Sequence, residues 1–413
     1  MTHEGLLGSF DCIIVGAGHG GCQTAAALRQ AGFEGSIALL GGEPEVPYDR
    51  PSLSKEYLAG KKTFERMHLR TPDFWDSRNV ELLLGAQVVA VDPTTKTVTL
   101  ETGSSYSYRS LVWAAGGEPR KLSCPGSELS GIFYIRSKAD CDALLAVLQD
   151  VGKIVIIGGG YVGLEAAAVF RELDKEVVLV EALDRVLARV AGEPISHFYE
   201  GEHRDHGVDI RLNCGVKAIS ERDGRVSGVI LESDDLLEAD IVVVGIGILP
   251  SAAPLLAAGA QGDNGVDVDE YCRTSIPDIY CVGDCAKLIN GPGIRIESVQ
   301  NATDQATTAA KAICGTFKPY DALPWFWSNQ YDLKLQTIGL NFGYDAVVVR
   351  GEPVSRSFSL VYLKSGSVIA LDCVNAPRDY VQGRKLVESG AKLGSDQLAD
   401  ISKQLKELTL ETS

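Results

Sequence analysis

Two glycine-rich segments of the sequence have the residue types and spacing that let a chain bind a pyrophosphate. Both follow the pattern G-x-G-x-x-G, in which the first glycine makes a tight turn and the second lets the backbone approach the phosphates. The third glycine allows close packing of the following helix on the preceding strand. The motif glycines, in chain order, are Gly16, Gly18, Gly21, Gly158, Gly160 and Gly163. One such motif is weak evidence, but two copies predict two bound dinucleotides.

Each glycine motif lies between elements that would position it. Residues 10–40 and 153–180 both read as an apolar strand, the glycine turn, a helix rich in small residues and a second apolar strand. This is the βαβ pattern of a dinucleotide-binding half-domain. Further apolar strands at 240–244 and 279–282 also run into glycines. The sequence therefore predicts two parallel α/β sheets.

The acidic residue that ends each unit distinguishes the two sites. Glu181 follows the second strand of the second unit, close to the spacing expected for a ligand of the adenosine ribose. A carboxylate there repels a 2′-phosphate, which predicts a preference for NADH over NADPH. Arg185 and Arg189 follow and are candidates either for contact with the pyrophosphate or for weakening that repulsion. In the first unit only Glu43 follows the strand, and it is the corresponding candidate.

Composition and charge exclude several classes of protein. Of the 413 residues, 45% are hydrophobic and 23% are charged, which is typical of a globular protein. The net charge of −16 disfavours nucleic acid and anionic membranes as partners. No apolar stretch reaches the about 18 residues of a membrane span, and residues 1–10 do not resemble a secretion signal. We expect a cytoplasmic protein.

Ten scattered cysteines predict reduced thiols rather than a disulfide framework or a metal site. The pair Cys281 and Cys285 has C-x-x-x-C spacing, which is neither a thioredoxin-like nor a zinc motif. Beyond residue 323 the pattern changes to alternating strands followed by a helix at about 398–408, and acidic and basic side chains become equal in number. This change predicts a separate α+β domain.

Six segments resemble FAD-dependent ferredoxin reductases, namely those that serve aromatic-ring dioxygenases, together with putidaredoxin and rubredoxin reductases. The matching segments are residues 46–55, 114–120, 280–284, 295–302, 323–328 and 372–379. They occur in order over nearly the whole chain. The resemblance implies an α/β fold like that of glutathione reductase, with two Rossmann-like domains and a C-terminal α+β interface domain. The implied domains are 1–117 with 246–322 for FAD, 118–245 for NAD, and 323–413 for the interface.

The resemblance also assigns roles around the flavin. Lys55 and Glu165 are the implied catalytic pair near flavin N5, Asp284 bonds the ribitol, and Arg120 meets the phosphates. Val299 stands where many relatives carry a tryptophan, so only its backbone N–H is implied to contact the ring. With the motif residues included, the candidate FAD residues are Gly16, Gly18, Gly21, Glu43, Arg50, Lys55, Val88, Ala115, Gly116, Arg120, Gly283, Asp284, Glu297, Val299 and Trp327.

A second set belongs to the NAD site. Gly245 and Gly247 are implied to let the backbone approach the nicotinamide ribose. The candidate NAD residues are Gly158, Gly160, Tyr161, Val162, Gly163, Glu165, Glu181, Arg189, Gly245, Ile246 and Gly247. The expected cofactors are FAD and NADH, with no metal.

The electron acceptor is inferred from the absence of a thiol relay. No cysteine lies between Cys22 and Cys124, where disulfide reductases of this fold carry theirs, and no cysteine run can hold a cluster. Electrons must then leave the flavin directly. Because flavin can release them one at a time, the expected acceptor is a [2Fe–2S] ferredoxin on a separate protein that feeds an oxygenase such as an aromatic-ring dioxygenase. Lys334, Arg378 and Arg50 are candidate docking cations.

Two other functions remain open from the sequence. An NADH oxidase or quinone reductase would use the same fold with a different acceptor. A redox-sensing flavoprotein resembling apoptosis-inducing factor would be reduced only very slowly. The sequence also leaves monomer and homodimer open.

Overall fold

A computed structural model describes residues 5–291 and 293–410. Residues 1–4, which belong to the segment 1–10 that was predicted not to be a secretion signal, lie outside the described residues. The chain divides into two compact units. One comprises Met1–Arg50, Thr63–Glu118 and Ile248–Ala322, and the other comprises Pro51–Lys62, Pro119–Gly247 and Leu323–Ser413. The three-domain division made from the sequence stays a prediction.

Ten α-helices occur in the described residues. In chain order, α1–α10 are His19–Gln30, Pro72–Ser77, Lys138–Leu148, Tyr161–Glu172, Glu193–Asp205, Ala253–Ala257, Val299–Ile313, Pro377–Ser389, Ser395–Ala399 and Leu405–Leu410.

The same residues form 24 strands. In chain order, β1–β24 are Leu6–Val15, Ile37–Gly41, Val80–Leu84, Val88–Asp92, Thr97–Leu100, Ser105–Trp113, Gly117–Pro119, Ile132–Tyr134, Lys153–Ile157, Glu176–Val180, Val208–Arg211, Val216–Arg222, Arg225–Leu231, Leu236–Glu238, Ile241–Val244, Ile248–Pro250, Val266–Val268, Ile279–Cys281, Ala286–Leu288, Trp325–Gln330, Leu333–Gly339, Ala346–Glu352, Ser357–Lys364 and Ser367–Val374.

The first unit is built on a largely parallel sheet. Its strand order is β3-β2-β1-β6-β5-β4, with β18 also paired to β6, and only β4 and β5 join in antiparallel fashion. The central strands are buried on both faces, so they read as continuous apolar runs. On one face Ile14 and Leu39 pack in a cluster with residues of α1 and α7, while on the other Ile13 and Leu111 pack in a second cluster. The predicted first βαβ unit is confirmed.

The second unit contains a five-stranded parallel sheet of order β11-β10-β9-β15-β8. Val155 and Ile156 at its centre are fully buried. The observed β9 and β10 coincide with the strands predicted at 153–157 and 176–180, so the second βαβ unit is also confirmed. The unit further contains an antiparallel sheet of β12–β14 and an antiparallel five-stranded sheet of order β20-β21-β24-β23-β22. The α/β fold class is confirmed.

The helical C-terminus predicted at 398–408 is confirmed only in part, because an irregular segment separates α9 from α10. The Asp400 carboxylate accepts hydrogen bonds from the backbone N–H and the hydroxyl of Ser402. The Arg350 side chain, 4% exposed, donates to the carbonyl oxygens of Leu398, Asp400 and Lys403 at 3.2, 2.6 and 2.6 Å. These bonds replace the helical ones.

All ten cysteines are free, and seven of them are buried. The Cys281 and Cys285 sulfurs lie 3.6 Å apart, at hydrogen-bond distance and without a disulfide between them. Burial raises the pKa of the Cys12 thiol to about 12, so this thiol is neutral and unreactive. Among the described residues, no group of three or more His, Cys, Asp or Glu side chains is placed to hold a metal. Nor is any helix in that part of the chain long and apolar enough to cross a membrane.

Replacing Arg350 by methionine should lower the thermal stability strongly. Methionine roughly keeps the volume but leaves the three carbonyls without this donor and removes the cationic partner of the Asp379 carboxylate, which lies 3.0 Å from Arg350 Nε. Removing one partner of a buried ion pair costs about 3–5 kcal/mol. The measurement is the melting temperature by circular dichroism. Arg384→Met, which removes an exposed pair with Glu388, is the control and should cost about 0.5 kcal/mol or less. Equal shifts in the two variants would contradict this account of the C-terminal segment.

Candidate active site

The glycine turn of the second unit has the geometry of a pyrophosphate cradle. Gly158 has φ +109°, and a Cβ there would lie 2.4 Å from the carbonyl oxygen of Gly245. A Cβ on Gly163 would lie 2.0 Å from the carbonyl oxygen of Gly158, so only glycine fits at either position. At Gly160, by contrast, a Cβ would meet nothing closer than 3.9 Å. This open space borders the N-terminus of α4, whose second residue Val162 is 39% exposed and whose first turn contains no acidic side chain.

The turn of the first unit repeats this geometry. A Cβ on Gly16, also at φ +109°, would lie 2.2 Å from the carbonyl oxygen of Ala114, and one on Gly21 would lie 1.8 Å from that of Gly16. A Cβ on Gly18 would have nothing within 4 Å. Helix N-termini present unpaired N–H donors and a positive dipole end, which suit an anion. The residues at both turns therefore fit a dinucleotide pyrophosphate.

Glu181 lies at the second turn, as its position in sequence predicts. Its Oε2 accepts a hydrogen bond from the Gly159 N–H at 2.7 Å, and its Oε1 accepts one from the Leu183 N–H at 2.9 Å. Each carboxylate oxygen can accept a further bond, so the side chain keeps capacity for ribose hydroxyls. Arg185 donates to the Ala191 carbonyl and the Ser196 hydroxyl at 2.9 and 2.6 Å and so holds the following loop.

Two predicted FAD residues, Glu43 and Arg50, contact each other. Arg50 Nη2 lies 2.7 Å from Glu43 Oε1, and the Tyr48 hydroxyl donates to Glu43 Oε2 at 2.6 Å. The guanidinium also lies over the Tyr48 ring, 5.0 Å from its centre. The positive charge proposed for docking is thus partly neutralised by its neighbour.

Gly283 and Asp284 follow strand β18. Gly283 has φ +78°, and its N–H donates to Oε1 of the buried Gln305 at 2.8 Å. Gln305, in α7, was missed by the sequence analysis. The Arg295 side chain bonds the Asp284 carbonyl and lies 2.9 Å from the Glu297 carboxylate. These contacts fix the backbone of the turn that carries Asp284.

The remaining predicted FAD residues of this unit lie in three places, namely after β6, at the start of α7 and in β4. Ala115 and Gly116 follow β6, and the Gly116 carbonyl accepts a hydrogen bond from the Ser251 N–H at 2.9 Å. Val299 is the first residue of α7, which is capped by Ser298. The Val88 side chain is 3% exposed and belongs to the hydrophobic core, so only its main chain is left for a ligand.

Residues after β15 line the second glycine turn. A Cβ on Gly245 would lie 3.3 Å from the Gly163 nitrogen, so strand and helix approach closely here. Ile246 is partly buried. Gly247 has φ +96° with open space around it, and its carbonyl accepts a bond from the Arg120 N–H at 2.9 Å. The side chains of Arg120 and, in the loop after β10, Arg189 are exposed.

The structure pairs Lys55 with Glu165 in the second unit. Glu165 lies in α4 and is 2% exposed, and Lys55 Nζ is 2.8 Å from its Oε2. The Ser54 hydroxyl donates to Oε2 at 2.7 Å, and the Ser328 hydroxyl donates to Oε1 at 2.6 Å. Lys55 also donates to the Pro51 carbonyl at 3.1 Å. A buried carboxylate is tolerated only with such partners.

Sequence reasoning missed Ser54 and Ser328, although both lie in segments that carry the resemblance. In strand β20 the two buried side chains are the polar Ser328 and Gln330, at alternate positions. Phe326 shares their face, and its ring centre lies 4.5 Å from that of Tyr161. Trp327 lies on the opposite face of the strand, and its ring centre is 5.6 Å from that of Trp325.

Alanine at Gly18 or Gly160 should weaken dinucleotide binding while leaving the fold intact. Both residues have extended backbone angles that alanine adopts, and both have room for a Cβ only where the pyrophosphate would approach. We expect Gly18→Ala to lower the FAD content of the purified protein, and Gly160→Ala to raise the Kd for NADH, with unchanged circular dichroism. Gly201→Ala in α5, which also has open space, is the control and should change neither quantity. Full FAD content and unchanged NADH affinity in the two variants would contradict the assignment of the turns.

Comparison with known proteins agrees with this geometry. Residues 10–306 match the pyridine nucleotide-disulphide oxidoreductase family, and residues 325–409 match the reductase C-terminal family. The ferredoxin reductase subunit of 5,5'-dehydrodivanillate O-demethylase from a Sphingobium species is 56% identical over 405 residues, covering 97% of this chain and 98% of that protein. Putidaredoxin reductase from Pseudomonas putida is 40% identical over 405 residues, covering 96% of each chain.

Solved structures give the same result. The crystal structure of the covalent putidaredoxin reductase–putidaredoxin complex matches with a TM-score of 0.93 at 38% identity, covering 98% of this chain and 99% of that one. Together, the family matches over most of the chain and the full-length relatives make this protein an oxidoreductase with the cofactors FAD and NADH. The chain belongs to the ferredoxin reductases of the pyridine nucleotide-disulphide oxidoreductase family.

Proposed function

We propose that the protein is an NADH:ferredoxin oxidoreductase that delivers electrons to a separate [2Fe–2S] ferredoxin, which in turn feeds an oxygenase such as an aromatic-ring dioxygenase. Relatives named as ferredoxin reductases of an O-demethylase and of an anthranilate 1,2-dioxygenase system support the acceptor. In this proposal FAD binds to residues 1–117 and 246–322, NADH to residues 118–245, and residues 323–413 form the interface domain.

Bound FAD accepts two electrons as hydride from NADH and can release them one at a time. The turn around Gly18 would hold the pyrophosphate of FAD, and the turn around Gly160 would hold that of NADH. Glu181 would accept bonds from the adenosine ribose and repel the 2′-phosphate of NADPH. Lys55, held by Glu165, would present a positive charge beside the flavin ring, where negative charge develops during reduction.

The observation that carries the proposal is that the chain has two glycine turns suited to dinucleotides and, in addition, no cysteine in the polar segment at residues 51–55. One thiol does reach this segment in space, since Cys141 Sγ lies 3.4 Å from the Leu53 carbonyl oxygen. Cys141 is fully buried, and burial raises its pKa to about 12. A thiol that stays protonated is a poor nucleophile, so Cys141 does not relay electrons as the thiolate of a disulfide reductase does.

Two exposed cations at one end of the C-terminal sheet are candidates for docking an acidic ferredoxin. Lys334 and Asn375 exchange two hydrogen bonds of 2.9 Å, which places β21 beside the start of α8, where Arg378 lies. Both cationic side chains are exposed, whereas Arg50 is paired with Glu43. We therefore favour Lys334 and Arg378 over Arg50.

The test is an NADH–cytochrome c assay with and without an added [2Fe–2S] ferredoxin from an aromatic-ring dioxygenase system. We expect cytochrome c reduction to depend on the ferredoxin and to fall when salt rises from about 50 to about 500 mM, because screening weakens encounter between charged surfaces. Reduction of the flavin by NADH should change much less.

Lys334→Gln with Arg378→Gln should raise the KM for ferredoxin, whereas Arg384→Gln, an exposed control on the same helix, should not.

Three results would count against the proposal. Rapid NADH oxidation without an acceptor would assign an oxidase, and flavin reduction too slow for turnover would assign a redox sensor. Loss of ferredoxin reduction on Cys141→Ser, with FAD retained, would reveal a thiol relay.

A further inference from the structure

A chain of buried hydrogen bonds leads from Glu165 away from Lys55 to helix α5. Beyond the Ser328 hydroxyl, Gln330 Nε2 lies 3.2 Å from Ser328 Oγ, and Gln330 Oε1 lies 2.8 Å from His203 Nε2. The Tyr331 hydroxyl lies 3.0 Å from His203 Nδ1. Glu165, Ser328, Gln330 and His203 are each at most 2% exposed. The chain of hydrogen bonds therefore joins four buried polar groups from three elements, α4, α5 and β20.

Hydrogen-bond chemistry gives this chain one direction. The Glu165 carboxylate only accepts, so the single proton of the Ser328 hydroxyl points to it, and Ser328 Oγ must accept from the Gln330 amide. The Gln330 carbonyl oxygen then accepts from His203 Nε2–H, which leaves Nδ1 to accept from the Tyr331 hydroxyl. Every donor in the chain points toward Glu165.

The surroundings keep His203 neutral. Burial lowers its pKa to about 4, against a smaller opposing effect of the hydrogen bond with Gln330. Its neighbour His206 stacks on Tyr331 with ring centres 3.8 Å apart, and Arg171, Glu172 and Glu202 are the charged groups that act on Tyr331. A neutral imidazole with its proton on Nε2 is the form that the chain requires.

We propose that His203 and Gln330 are positioning residues for hydride transfer, which through Ser328 hold the Glu165 carboxylate in its orientation against Lys55. The inference rests on the proposed function for the role of Glu165. An amide conducts protons poorly, so the chain acts as a row of fixed dipoles rather than as a proton path. Aligned hydrogen bonds in a buried site strengthen one another. The hydrogen bond made by His203 therefore affects the one that Ser328 donates to Glu165.

The first experiment is a double-mutant cycle on Ser328→Ala and Gln330→Met. Each variant should slow FAD reduction by NADH about 3- to 10-fold in stopped flow, the range expected for loss of one hydrogen bond, with the Kd for NADH changed less than about twofold. The double variant should be no slower than Ser328→Ala alone, because both changes interrupt one chain. Gln382→Met, which removes the hydrogen bond from the Gln382 amide in α8 to the Gln404 side chain, is the control and should leave the rate unchanged. Unchanged rates in the single variants, or effects that multiply, would overturn the proposal.

The second experiment reads the chain without catalysis. Long-range ¹H–¹⁵N NMR of histidine-labelled protein, with His203 assigned through His203→Gln, should show a neutral imidazole protonated at Nε2 between about pH 6 and 8. Gln330→Glu should bring the imidazolium signals into this range, because a carboxylate beside Nε2–H raises the pKa of His203. A proton on His203 Nδ1, or no response to Gln330→Glu, would contradict the proposed chain of hydrogen bonds.

The native protein could show this tautomer and yet transfer electrons to no ferredoxin. That result would contradict the proposed function but not the chain of hydrogen bonds. If Gln330→Met does not fold, Ser328→Ala and Gln330→Glu decide the question.

Discussion

The packing of residues 51–62 in the second unit depends on one buried charge, the Glu165 carboxylate. Leaving a carboxylate in a site with 2% exposure is costly unless each oxygen has a donor, so the chain must bring donors to it. Ser54 and Lys55 come from one segment, Ser328 comes from strand β20, and the acid itself is on α4. This requirement explains why residues 51–62 pack with the second unit although most of their sequence neighbours belong to the first.

The two glycine turns show one physical solution used twice. In both, the first and third glycines are required because a Cβ would overlap a backbone carbonyl, while the second leaves space for a ligand. The sites differ in the acid that closes each unit. Glu181 bonds the backbone of its own turn, whereas Glu43 is engaged by Arg50 and Tyr48. The cofactor preference predicted for the second turn therefore has a clearer structural basis than the ribose contact predicted for the first.

Local features were predictable from the residues themselves, and features set by distant contacts were not, apart from the Lys55–Glu165 pair that the family resemblance implied. The bounds of β9 and β10 follow from apolar runs between turn residues, and the conformation at Gly16 and Gly158 follows from the motif. The break between α9 and α10 depends on Arg350, about 50 residues earlier in the chain, which no helical periodicity reveals. The partners Ser328, Gln330 and His203 were missed for the same reason, since single polar residues in a sequence do not show which buried group they meet. The buried side chain of Val88 was likewise set by packing in the core.

Stopped-flow absorbance of the flavin on mixing with NADH tests whether the buried pair of Lys55 and Glu165 governs flavin reduction. In Glu165→Gln we predict a rate constant about 10- to 100-fold lower, the range expected for loss of a hydrogen-bonded charge, with little change in NADH affinity. Glu172→Gln is the matched control, because Glu172 lies on the same helix and pairs with Lys61 from the same segment but at an exposed site. Equal rates in Glu165→Gln and the native protein, or equal effects in the two variants, would contradict the account.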